Sequence, residues 1–186
     1  MRKVCAVATV LLLSVGAVFA RTTTQKWTPG FDVFNEPLNY TKSKVQWAVS
    51  PSRTVTVTYT LVGATPSKLY QVDLMMFCTT FPSSFGQFPV LGLGPGNTCQ
   101  MVTRQGVTAS VAFVEVGVVA TDLSGNGSFK VVIGPVPAGT YSLEFRALNG
   151  AGCGFIGGGP CDQSHAETDF QSPGPVFGDA TTIPVP

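Results

Sequence analysis

Eight consecutive residues, Thr54-Val55-Thr56-Val57-Thr58-Tyr59-Thr60-Leu61, alternate hydroxyl and apolar side chains without a fault. Successive side chains of a strand point to opposite faces, so Val55, Val57, Tyr59 and Leu61 are predicted to face a core and the four threonines water. On a helix the same residues would scatter their apolar groups around the whole circumference. Beyond residue 20 no stretch repeats apolar residues at helical spacing for more than a turn without Gly or Pro. The chain is therefore expected to be all-β.

Further strands follow by the same reading. Leu69 to Phe77 (LYQVDLMMF) is apolar on both faces in its later half. Val107 to Thr121 is long enough to carry a bulge near Gly117. Ser128 to Ile133 puts Phe129, Val131 and Ile133 on one side. Thr140 to Leu148 puts Tyr141, Leu143, Phe145 and Ala147 inside, with Ser142, Glu144 and Arg146 outside. Lys44 to Val49 and Thr181 to Val185 show the pattern more weakly. About seven antiparallel strands separated by Gly and Pro predict a sandwich or a barrel. The sandwich is preferred, because segments 78–106 and 149–175 read as excursions from sheet ends, whereas barrels are joined mostly by short hairpins. Residues 21–186 read as one domain, with no internal repeat and no linker.

The start of the chain carries Arg2 and Lys3, an uncharged run from Val4 to Ala20, and small residues at Val18 and Ala20. This predicts a secretory signal peptide over residues 1–20. The run is short of the ~20 residues that span a bilayer, so no stable membrane insertion is expected after cleavage. The chain has five cysteines, and removal of Cys5 leaves Cys78, Cys99, Cys153 and Cys161. An even count in an oxidising compartment predicts disulfides. Three pairings are open. Cys78–Cys99 with Cys153–Cys161 is preferred, because each pair brackets one irregular segment. The first would close about 22 residues and stabilise by roughly 3 kcal/mol.

Loss of Arg2 and Lys3 from the 11 basic residues leaves 9 against 10 acidic ones. A nearly neutral secreted chain has no electrostatic footprint for nucleic acid or for anionic membranes.

Residues 121–147, TDLSGNGSFKVVIGPVPAGTYSLEFRA, resemble the back half of bacterial Ig-like modules of the carboxypeptidase-regulatory or prealbumin-like kind. The resemblance rests on Thr121-Asp122, the Gly125 to Gly127 turn, Phe129, Pro137-Ala138-Gly139 and Tyr141. It implies an Ig-like sandwich, a fold that is mostly non-catalytic in such modules. The front half of the pattern and the disulfide loops have no counterpart in it.

Three groups of residues could carry function. Phe81, Phe85 and Phe88 sit among Pro, Gly, Ser and Gln in the segment bracketed by Cys78 and Cys99, where they could form a patch for a ligand or cap one end of the sandwich. Asp162, His165, Glu167 and Asp169 cluster in DQSHAETD, as weak candidates for a metal ion or as a solvated loop. Asp122-x-Ser124-x-Asn126-Gly127 starts like a calcium loop, but its twelfth position is Ile133, so it reads as a hairpin turn with Asn126-Gly127 supplying positive φ. No phosphate loop and no nucleophile elbow is present. No cofactor is expected. The expectation is a secreted, non-catalytic β-sandwich that binds a surface, glycan or protein partner through its end loops. The alternatives are a structural envelope component without a ligand and an unfamiliar hydrolase using His165.

Overall fold

The perfectly alternating run forms a strand in which every residue expected inward is buried: Val55 is 3% exposed, and Val57, Tyr59 and Leu61 are 0%. The structure is a computed structural model. It describes residues 21–29, 37–77, 100–104, 107–149, 168–172 and 181–186. Eleven strands run through them. They are β1 (Thr23–Lys26), β2 (Thr28–Pro29), β3 (Lys44–Val49), β4 (Val55–Leu61), β5 (Leu69–Phe77) and β6 (Gln100–Arg104). Then come β7 (Val107–Ala120), β8 (Gly127–Ile133), β9 (Gly139–Asn149), β10 (Thr168–Ser172) and β11 (Thr181–Val185). The described residues contain no helix.

Two antiparallel sheets result, and the fold is β-sandwich-like. The smaller has the order β1-β3-β4-β8, and the larger β2-β10-β9-β5-β7-β6 with β11 also on β9. Strands β10 and β11 lie end to end along one edge of β9, the first against Phe145 to Leu148 and the second against Gly139 to Leu143. One core cluster joins Val45, Val57 and Tyr59 of the smaller sheet to Tyr70, Leu74 and Phe145 of the larger. A void of about 10 Å³ remains between them, lined by residues such as Val57, Leu74 and Ile183. That is the size of one water with an apolar wall, so it is a packing gap and not a ligand chamber.

Trp27 marks where the chain changes sheets. It separates β1, paired with β3, from β2, paired with β10. Its ring stacks on Tyr59 at 6.1 Å, and its indole N–H donates to the Thr60 carbonyl at 3.1 Å. The expected bulge in the long strand is present: Val72 faces Gly117 and Asp73 faces Glu115, which leaves Val116 as the extra residue. Gly117 is required there because a Cβ would lie 2.3 Å from Cζ of Phe129.

Several sequence expectations are corrected. About seven strands were expected. The additional ones are β1, β2, β6 and β10, of which β6 and β10 lie inside the segments read as excursions. The connection from β7 to β8 is not a hairpin, because those strands belong to different sheets. Within it positive φ falls on Gly125, at 74°, and not on Asn126 or Gly127. A Cβ on Gly125 would lie 2.0 Å from the Ala64 carbonyl oxygen, so backbone proximity selects glycine there. Asp122 Oδ1 accepts from the backbone N–H groups of Ser124 and Asn126, at 2.8 and 2.9 Å, an Asx-type turn that holds the connection. Those two donors keep the Asp122 carboxyl below its ordinary value. Finally, Glu144 and Arg146, expected outside, are 1% and 5% exposed.

Candidate functional site

Strand β5 explains where Glu144 and Arg146 go. Tyr70, Val72, Leu74 and Met76 face the core shared by the sheets, and all are buried. Asp73, Met75 and Phe77 alternate to the other face and are buried as well. Met75, Phe77 and Val111 form a second apolar cluster on that face. The larger sheet therefore hides both faces at its centre, and charged side chains there must find partners within the protein.

Asp73 does so across the strand pair. It lies directly opposite Arg146 on β9. The Arg146 Nε donates to Asp73 Oδ1 at 2.8 Å, and Nη2 donates to Oδ2. This bidentate fork is the strongest geometry an arginine and a carboxylate can adopt. On its other side Asp73 lies opposite Glu115 of β7. Glu144 stands two residues from Arg146 on the same face and opposite Met75. Three acidic residues and one arginine thus share this face across three neighbouring strands.

Glu115 carries the consequence. Burial, and secondly the charge of Asp73, push its carboxyl up to about 7. Its Oε2 is buried and has no hydrogen-bond partner among the described residues. Behind the row, in the core, the Tyr59 hydroxyl makes a long 3.5 Å contact to the Asp73 carbonyl. Burial, with the Asp73 charge second, raises Tyr59 well above the ordinary phenol value. Chemically, the Asp73–Arg146 pair has spent its groups on each other. Among the described residues Glu115 is the carboxyl pushed up toward neutral pH, by its burial in the sheet and by Asp73.

The residues singled out from sequence fall elsewhere. Phe81, Phe85, Phe88, Cys78, Cys99, Cys153, Cys161, Asp162, His165 and Glu167 lie outside the described residues. The main chain of Asp169 lies in β10, at the register irregularity between Thr168 and Phe170. Among the described residues no group of three His, Cys, Asp or Glu is arranged to hold a metal ion. Sequence reasoning missed the Asp73–Arg146–Glu115 row. One signal was available: Asp73 interrupts a strand whose later half is otherwise apolar on both faces, and an acid in such a place needs a cation.

The anchors of the segment 78–99 are placed. Phe77, which precedes it, and Gln100, which follows it, are both register partners of Val111, on opposite sides of β7. Its two ends therefore start about two strand spacings apart, ~10 Å. The segment after Asn149 leaves from the far end of β5, because Asn149 pairs with Tyr70. Comparisons of the chain with family models, curated proteins and solved structures return no match.

Proposed function

We propose that this chain is a secreted, non-catalytic, Ig-like β-sandwich that binds a surface, glycan or protein partner through the loops at its sheet ends, with Phe81, Phe85 and Phe88 in contact. The observation that carries the reading is the anchoring of segment 78–99 at Phe77 and Gln100 on either side of Val111. An aromatic-rich segment that leaves and re-enters one sheet at one level is suited to a cinched binding loop. The same anchors favour Cys78–Cys99 over pairing with Cys153, since Asn149 is tied to the opposite end of β5.

Other features support the reading. Among the described residues the void between the sheets, about 10 Å³, is too small for a ligand. The Ig-like assignment is supported by connections that cross between sheets from β4 to β5, β7 to β8 and β8 to β9. It is also supported by the Tyr141 hydroxyl, which donates to the Pro137 carbonyl at 2.8 Å at the start of β9, as a tyrosine corner does. The test is binding of oxidised residues 21–186 to a panel of glycans and extracellular proteins. The variant Phe81→Ser/Phe85→Ser/Phe88→Ser is expected to lose binding about tenfold or more with unfolding unchanged, and His165→Ala to have no effect. Unchanged binding by the triple variant overturns the loop assignment.

A further inference from the structure

The outer face of the smaller sheet is a grid set by register. One row is Lys26, Lys44, Thr60 and Ser128. The next is Thr24, Gln46, Thr58 and Lys130, and the third Ala48, Thr56 and Val132. Lys26, Thr24, Ser128, Lys130 and Val132 are exposed, and the remainder are half-buried between them. Not one Asp or Glu occurs in β1, β3, β4 or β8, and none occurs anywhere from Pro37 to Val72. Lys42 and Arg53, both exposed, flank β3 and extend the same sign of charge.

The Lys26–Lys44 pair is informative. Like charges directly opposite in a sheet repel, and ordinary surfaces relieve this with an acid on the same face. Among the described residues this face has none, although the secreted chain as a whole is nearly neutral. We infer that the outer face of the smaller sheet binds an anionic polysaccharide, with Lys26, Lys44 and Lys130 meeting its carboxylate, sulfate or phosphate groups and the Thr/Ser/Gln grid meeting its hydroxyls. This surface lies on the smaller sheet, whereas the anchors of segment 78–99 lie on the larger, and the inference does not depend on the proposed function.

Charge complementarity selects the occupant. A second copy docking through the same face would oppose lysine to lysine. Single-stranded nucleic acid calls for outward aromatic rings to stack its bases, and the described residues of this face present none. A membrane calls for an apolar face to bury, and Val132 is the one large apolar side chain exposed on the grid. Hydroxyl and amide groups spaced along strands suit a polymer of hydroxylated rings.

The test uses oxidised residues 21–186 with polygalacturonate and dextran sulfate as probes and neutral dextran as control, at about 50 and 200 mM salt. The wild type is expected to bind the two polyanions and not neutral dextran, with affinity falling about tenfold between those salt levels. Lys26→Gln/Lys44→Gln is expected to bind about tenfold more weakly. Lys68→Gln/Arg104→Gln, which removes equal charge from other positions, should stay within about twofold. The face variant also relieves a repulsion, so its melting temperature should hold or rise, which separates lost binding from lost folding. Four results each overturn the inference: equal loss in both double variants, no loss in the face variant, no binding of either polyanion, or tighter binding to duplex DNA or anionic lipid vesicles.

Discussion

Arg146 and Asp73 face each other across the β5–β9 pair, with the Nε–Nη2 edge of the guanidinium engaged by the two carboxylate oxygens and both residues at most 5% exposed. Removing one partner leaves the other charge buried, which costs about 3–5 kcal/mol. Arg146→Met should therefore lower unfolding stability by that amount in a urea titration. Asp73→Asn/Arg146→Met should be less destabilised than the sum of its single variants, because neither charge is then left behind.

Glu115 makes stability depend on pH in the sense opposite to a salt-bridged acid. Its carboxyl sits at about 7 in the fold against an ordinary 4.5, so the folded state holds its proton more tightly than the unfolded one. Its contribution to stability is therefore largest at low pH and falls as pH rises from about 4.5 to 7, levelling off above. Glu115→Gln keeps the neutral shape and removes the titration. Melting temperatures at pH 5 and pH 8 should show the wild type losing ground to the variant at the higher pH.

The bulge in β7 depends on contact with the facing sheet. Gly117→Ala places a methyl group 2.3 Å from Cζ of Phe129 and should cost about 1–3 kcal/mol. Phe129→Leu in the same chain should recover part of that loss in chemical unfolding, because the ring is what the methyl meets.

Trp27 joins the sheets at the crossing from β1 to β2. Trp27→Ala removes the stacking on Tyr59 and the hydrogen bond to Thr60, and should cost about 3–5 kcal/mol. Amide exchange in Thr23–Lys26 should accelerate before exchange in β4.

How much of this was legible in sequence depended on burial. In β4, one face is wet and one dry, and the alternation of Val55 to Leu61 named the core correctly. The same held for Tyr141, Leu143, Phe145 and Ala147. It failed one residue over, because alternation separates two faces without saying that the second is wet. Glu144 and Arg146 alternate like surface residues yet are buried, in a sheet covered on both faces. The apolar second face of β5, with Met75 and Phe77, was the visible warning. Strands β1 and β2 were missed because four and two residues are too few to show a period. Nothing local announces that the turns at Asp122 and Pro135 cross between sheets, since that is decided by distant strand pairing. Of the candidates, the phenylalanines of segment 78–99 were visible by composition, whereas the Asp73–Arg146–Glu115 row exists only through register.

The most direct test of the binding-loop account is limited proteolysis of oxidised residues 21–186 with chymotrypsin, with the first cuts mapped by mass. The account predicts first cuts after Phe81, Phe85 or Phe88, while Tyr59, Tyr70 and Phe145 in the core stay intact. Resistance at all three loop phenylalanines, with first cuts elsewhere, would contradict it and make them a packed cap on the sandwich.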